Sequence, residues 1–241
     1  MEKRTFLSAE WRNLIMLNYE VPSDVLIPHL PPGIELDLWE GKALVSMVGF
    51  RFLNTKVLGV RWPWHVNFEE VNLRFYVRRF DGQQWKRGVV FISEIVPRPI
   101  IATVANVLYH ERYSSMPMRH TIKDTDSDSK LIRYEWKHKG RWNALGGTVR
   151  TTLQAMPSDG AEAFIFEHYW GYNKLSETAT HEYQVEHISW QIAEVRDAFM
   201  DADVAELYGD AFVPFLTKPP VSVFYADGSP VSVRIAGKIY Q

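Results

Sequence analysis

Four polar side chains alternate along one stretch of the chain, Phe68-Glu-Glu-Val-Asn-Leu-Arg-Phe-Tyr-Val-Arg78. Side chains of a strand point to opposite faces in turn, so Glu70, Asn72, Arg74 and Tyr76 share one face. Val71, Leu73, Phe75 and Val77 share the other. A carboxylate, an amide, a guanidinium and a phenol in one row can bind and orient a polar group or move a proton. A solvated strand face would alternate as well. Asparagine, however, is depleted in strands, and the flanking stretches 43–53 and 88–95 are apolar enough to lie centrally in a sheet. The row is therefore read as one wall of an enclosed ligand pocket. Glu70 and Arg74 are about 13 Å apart along such a strand, too far to pair with each other. A charge held away from water must be paired or hydrogen-bonded, so each needs a cross-strand partner or a ligand. Glu94 and Arg12 are candidate partners.

Two further constellations could join this wall. Tyr109-His-Glu-Arg-Tyr113 closes a helix expected over 99–110 and offers His110, Arg112 and Tyr113, although a solvated helix end would look the same. His187-Ile-Ser-Trp190 is either a pocket element or a histidine tucked beside a tryptophan. The eight histidines form no metal motif. Asp124, Asp126 and Asp128 have the spacing of a calcium loop but lack its glycine and distal glutamate, and read as a solvated loop. Nucleophile-elbow, P-loop and dinucleotide fingerprints are missing. No metal or cofactor is expected.

The elements that must position these residues are mostly strands. They are expected over 43–53, 66–80, 88–95, 131–137, 148–155, 163–169 and 181–195. A hairpin turn is expected at Asp81-Gly82, and a C-terminal hairpin pairs 221–225 with 231–240 around Asp227-Gly228. On 131–137, Ile132, Tyr134 and Trp136 take one face and Arg133, Glu135 and Lys137 the other. Short helices are expected at 23–27 with Ser23 as cap, at 99–110 from a first-turn proline, and at 203–208 closed by Gly209. Many strands with few helices predict a mainly β (α+β) protein built as an antiparallel barrel or paired sheets.

The chain has 241 residues, 46% of them apolar and 14% aromatic, enough for one large β-rich domain over 1–241. Its 27 basic and 29 acidic side chains give a net charge of −2, so neither a nucleic-acid nor a membrane partner is expected. There is no cysteine, which suits a reducing compartment. No apolar leader or membrane-length run is present. A cytoplasmic location is expected. Of nine tryptophans, Trp62, Trp64 and Trp85 fall near loops and could anchor a homo-oligomer.

Several stretches together resemble a known family. They are Trp11-Arg-Asn-Leu-Ile15, Val21-Pro22, Leu30-Pro-Pro-Gly-Ile-Glu-Leu-Asp37, Gly41-Lys-Ala-Leu-Val45 and the Glu-x-Asn-x-Arg-x-Tyr strand. Gly88-Val-Val-Phe-Ile-Ser93, His168-Tyr169 and His187-x-x-Trp190 follow the same pattern, with Ser189 where relatives often carry proline. The chain resembles the YqjF-like bacterial proteins, a domain of unknown function whose fold is similar to that of acetoacetate decarboxylase. The resemblance implies a cone-shaped antiparallel barrel with a flanking sheet and an internal cavity. It implies that Arg12 takes the place of the decarboxylase's arginine and Glu70 that of a glutamate. A second glutamate falls on apolar Val48. The Schiff-base lysine falls near Arg112 or Tyr113, and no lysine lies between Lys86 and Lys123. Arginine, with a pKa above about 12, forms no imine at neutral pH.

The reading that follows is a binder of a small anionic or carbonyl-containing molecule. Arg12 and Arg74 would hold its head, while Glu70 and Tyr113 would position it or exchange protons. Asn72, Tyr76, Glu94, His110, Arg112, His187 and Trp190 would shape the pocket. Catalysis of a lyase- or hydrolase-like acid–base kind stays open. So do a non-catalytic sensing or carrier module and a structural subunit.

Overall fold

The computed structural model describes residues 5–109 and 112–240. In chain order its strands are β1 (Thr5–Glu20), β2 (Glu35–Leu36), β3 (Leu44–Val57), β4 (Phe68–Phe80) and β5 (Trp85–Val96). Next come β6 (Tyr113–Ser115), β7 (Met118–Asp124), β8 (Ser129–His138), β9 (Arg141–Arg150) and β10 (Gln154–Ala155). The last are β11 (Trp170–Ser176), β12 (Ala179–His187), β13 (Gln191–Ala193), β14 (Val195–Asp201) and β15 (Ser222–Tyr240). The helices are α1 (Ser23–Leu26), α2 (Pro99–Tyr109), α3 (Ala161–Phe166), α4 (Val204–Tyr208) and α5 (Val213–Leu216).

Strands β1-β3-β4-β5-β11-β12-β15 follow one another, and β15 pairs back onto β1. Seven strands thus close into a barrel, antiparallel throughout except for the parallel β5–β11 seam. Each barrel strand therefore has a paired neighbour on both sides, through only two residue pairs at the β5–β11 seam. Strands β14-β9-β8-β7 form a second, antiparallel sheet. Its apolar face carries Ile132, Tyr134, Trp136 and Leu145, and it packs on the outward residues Val45, Met47, Val71 and Leu73 of β3 and β4. Gly49 sits beneath the Tyr134 ring, where an added Cβ would come within 2.6 Å of it. The inward residues Leu14, Met16, Val48, Phe50 and Phe68 form a separate core inside the barrel. Strand β4 is therefore covered on both faces.

Two bulges decide which residues face inward. The β1–β3 register shifts between Arg12 and Ile15, where Asn13 has a left-handed φ of 55°. Trp11 and Leu14 both face the interior as a result, and Arg12 is turned out. The β4–β5 register shifts between Leu73 and Arg74. Glu94 then stands beside Asn72 and Phe91 beside Arg74, and both line the interior despite their odd separation.

Several expected elements differ in the structure. The C-terminal hairpin is instead one 19-residue strand, β15. Gly228, at φ 89°, is no turn: it brings β15 so close to β1 that a Cβ would lie 2.0 Å from the Trp11 carbonyl oxygen. The 163–169 strand is helix α3 over most of its length, with Phe164 N–H bonding the Gly160 carbonyl and Glu167 N–H the Ala163 carbonyl. A short apolar run that is buried all round has no periodicity to tell strand from helix. The 181–195 stretch is broken at Ile188-Ser-Trp190 into β12 and β13, followed by the start of β14. Strand β9 begins at Arg141 and ends at Arg150, ahead of most of the expected 148–155. Ser23 caps nothing, because Pro22 holds that position. Asp203 does cap α4, accepting from Glu206 N–H, and Gly209 ends it. The turn after β4 spans four residues, 81–84, with the Asp81 carboxylate accepting from the Gln83 and Gln84 N–H groups. Among the described residues no helix is long and apolar enough to cross a membrane.

Gly228→Ala should lower unfolding stability by more than the ~1–2 kcal/mol that a left-handed conformation costs an L-residue, because it adds a backbone clash. Gly82→Ala, at φ 97° with open space around it, carries the conformational cost alone. Urea denaturation midpoints of the two variants compare them directly. Equal losses would remove the close β1–β15 approach as the cause.

Candidate functional site

The barrel encloses a cavity of about 700 Å³. Much of its wall is aromatic: Trp11, Phe50, Phe52, Phe68, Phe91 and Trp190 all contribute. Rings here meet edge to face or stacked, as with Trp11 on Phe50 at 5.3 Å and Phe52 on Phe68 at 4.7 Å. Against this apolar wall stand a few polar groups, several of them on the inward face of β4.

Glu70, Asn72 and Glu94 are each only 2% exposed. Asn72 Nδ2 donates to Glu70 Oε1 at 2.9 Å, and the Tyr113 hydroxyl donates to Glu70 Oε2 at 2.9 Å. Asn72 Oδ1 is buried with no hydrogen-bond partner. Tyr113 is placed by β6, which runs parallel to β5 and sets Tyr113 opposite Glu94. The Asn106 side chain of α2 clamps it, bonding both the Tyr113 carbonyl, at 2.9 Å, and the Tyr113 N–H, at 2.8 Å. A carboxylate held by two donors and facing an apolar space can accept a ligand proton or orient a ligand hydroxyl.

Further along β4 lies Arg74. Its guanidinium contacts the Met16 sulfur at 3.7 Å and lies 5.7 Å from the Tyr76 ring centre, while its Nε is buried without a partner. Arg74 has no carboxylate partner among the described residues. It is also the one lysine or arginine among the described residues lining the cavity. His187 and Trp190 stack at 4.1 Å, and the indole N–H donates to Ser229 Oγ at 2.8 Å. His187 Nδ1–H donates to the Ile188 carbonyl, and burial pulls its pKa below the ordinary value. The ring is therefore neutral near pH 7, with Nε2 as an acceptor.

Beside Arg74 the wall is braced by a buried triad. His168 Nε2–H donates to Asp37 Oδ2 at 3.2 Å, and Arg87 Nε donates to the same oxygen at 2.6 Å. Burial lowers the His168 pKa to about 4, outweighing the opposing hydrogen bond to Asp37. Burial would raise the Asp37 carboxyl, but the His168 and Arg87 hydrogen bonds hold it below its ordinary range.

The structure thus brings Glu70, Asn72, Arg74, Glu94, Tyr113, His187 and Trp190 to one cavity. Three expected residues lie elsewhere. Arg12 is turned out by the Asn13 bulge and bonds Glu10 and Asp227. Arg112 is exposed and contacts His29. Tyr76 shares the inward face but is covered by Phe164 and His168, with its hydroxyl on Ser46 Oγ at 2.5 Å. His110 lies outside the described residues. Sequence reading missed His168 and its partners, because the His168-Tyr169 pair was placed at the end of an expected strand. It also missed the aromatic wall, whose residues come from separate strands brought together by barrel closure.

A model of an uncharacterised conserved protein family, DUF2071, matches residues 8–230. The chain belongs to this family. The uncharacterised protein YqjF of Bacillus subtilis (strain 168) is 22% identical over 203 residues, which is 83% of this chain and 80% of that protein. Among solved structures, an acetoacetate decarboxylase from Legionella pneumophila aligns over 97% of this chain and 87% of its own, with a TM-score of 0.65 and 13% identity. The enduracididine biosynthesis enzyme MppR, solved with pyruvate, covers 100% of this chain and 91% of its own, with a TM-score of 0.64 and 14% identity. At these identities the likeness is one of fold. The family is YqjF-like and its barrel is of the acetoacetate decarboxylase type, as the resemblance implied.

The His168 triad makes stability depend on pH. The folded pKa of His168, about 4, lies below its ordinary 6.5, so between those values the unfolded chain holds more protons and stability rises with pH. Going down from pH 6.5 to 4 should cost on the order of 3 kcal/mol, at ~1.4 kcal/mol per unit. Asp37 adds to the loss only below its ordinary 3.8. Unfolding free energies measured across this range should show a steeper slope in the wild type than in His168→Gln, where the lowered pKa values of His187 and His29 leave a remainder. An equal slope in the variant would contradict the assignment.

Proposed function

We propose that the protein binds a small molecule with an apolar body and one anionic or carbonyl head inside the barrel, head at Arg74. The observation that carries this reading is the Arg74 guanidinium, set in an aromatic cavity with no carboxylate partner among the described residues. A cation so placed has lost part of its hydration and gains from a ligand anion that restores hydrogen bonds. The apolar wall accounts for the body, and Glu70 with Tyr113 offers a second polar contact farther along β4. That MppR was solved with pyruvate, a small anionic carbonyl compound, supports the same ligand class.

Imine chemistry finds no support. No lysine is among the described lining residues, and Arg112, near the expected lysine position, faces away. Sodium borohydride with acetoacetate is expected to leave the mass of the chain unchanged, and a trapped adduct would contradict this. A cytoplasmic site of action fits a chain without cysteine.

A second reading, acid–base catalysis at the same place, rests on the Tyr113–Glu70 hydrogen bond. Thermal-shift screening followed by NMR of the recovered compound separates the two: an unchanged compound supports binding, a converted one catalysis. For arylalkanoic acids set against the matching alcohols, Arg74→Met should weaken acid binding about 10- to 100-fold and leave the alcohols little changed. Equal affinity of the acids for wild type and variant would remove Arg74 as the anchor.

A further inference from the structure

The cavity's apolar wall continues out to its mouth, where a polar rim is usual around an apolar site. The β3–β4 connection exposes Leu58, Val60, Trp62 and Trp64, the last two at 58% and 82%, and the first turn of α2 exposes Ile100 at 62%. Leu58, Trp62, Trp64 and Ile100 also line the cavity, so the exposed patch runs without a break into the aromatic interior. Solvated loops rarely carry so many large apolar groups, and such clusters mark interaction surfaces.

Basic side chains predominate in the segments that carry the patch, with Glu10 reaching Asn54 and Glu69 beside Arg51 as the acids that face them from neighbouring strands. Residues 51–68 include Arg51, Lys56 and Arg61 and no aspartate or glutamate. Residues 97–110 include Arg98 and again no acid. Lys56, Arg61 and Arg98 form no ion pair among the described residues. The net charge of −2 conceals this local excess.

We propose that the mouth docks on an anionic lipid surface. Tryptophan favours the membrane–water interface, and interspersed basic side chains add attraction to anionic headgroups. A second copy of the chain fits less well, because a symmetric contact would set these basic mouths against each other. Docked this way, the mouth opens toward the acyl region, and an amphiphile would enter with its path shielded from water.

Flotation of the full chain with large unilamellar vesicles tests this. Vesicles of phosphatidylcholine with phosphatidylglycerol should carry the protein, and pure phosphatidylcholine at least tenfold less. Salt should weaken the binding, and tryptophan emission should shift to the blue. Trp62→Ser with Trp64→Ser should abolish flotation, and Arg61→Glu should remove the preference for anionic vesicles, with melting temperatures near wild type because these side chains are exposed. No flotation, equal flotation with both vesicles, or an unaffected double variant would overturn the proposal. So would light scattering that shows a wild-type dimer which the double variant dissociates.

Discussion

A strand with Val71, Leu73, Phe75 and Val77 on one side and Glu70, Asn72 and Arg74 on the other cannot be buried against two apolar layers. One face demands a hydrophobic cover, and the other must be given hydrogen bonds or space. The molecule meets both demands by splitting its packing. The second sheet covers the apolar face of β4, with Tyr134 lying directly on Gly49 of the neighbouring strand. Barrel closure encloses the polar face without filling it. The interior is left open because a core packed to native density cannot accommodate an unpaired guanidinium.

Within that interior the polar groups are not equivalent. Glu70 is bound to Asn72 and Tyr113, and Asp37 is satisfied by His168 and Arg87, so these carboxylates already have donors. Burial keeps His168 and His187 in their neutral forms near pH 7. Arg74 stands apart as the one lysine or arginine among the described residues lining the cavity. The Asp37–His168–Arg87 group acts on the wall instead. It fixes the residues after α3 against β5, with His168 itself part of the cavity lining.

The β4 face was legible because a period of two is written directly into Glu70-x-Asn72-x-Arg74-x-Tyr76. The same rule put Ile132, Tyr134 and Trp136 on one face of β8, and the structure buries that face. It failed wherever the backbone leaves strict alternation. One left-handed residue, Asn13, sends Arg12 outward and Trp11 inward. One bulge in β5 turns both Phe91 and Glu94 inward. Asp227-Gly228 has turn composition, yet Gly228 serves a close strand crossing that depends on Trp11, more than two hundred residues away in sequence. Ala163-Phe-Ile-Phe166 is apolar at every position, so nothing local distinguishes helix α3 from a strand. These failures share a cause: each depends on a distant neighbour that local pattern does not contain.

The central claim is that Arg74 anchors an anionic head inside the barrel. A crystal structure of the protein soaked with an arylalkanoate tests it most directly. The account predicts a carboxylate at hydrogen-bonding distance from the Arg74 guanidinium, about 2.7–2.9 Å, with the aryl group against Phe50 and Trp190. A ligand bound the other way round, its carboxylate at the mouth and Arg74 left to water, would contradict it.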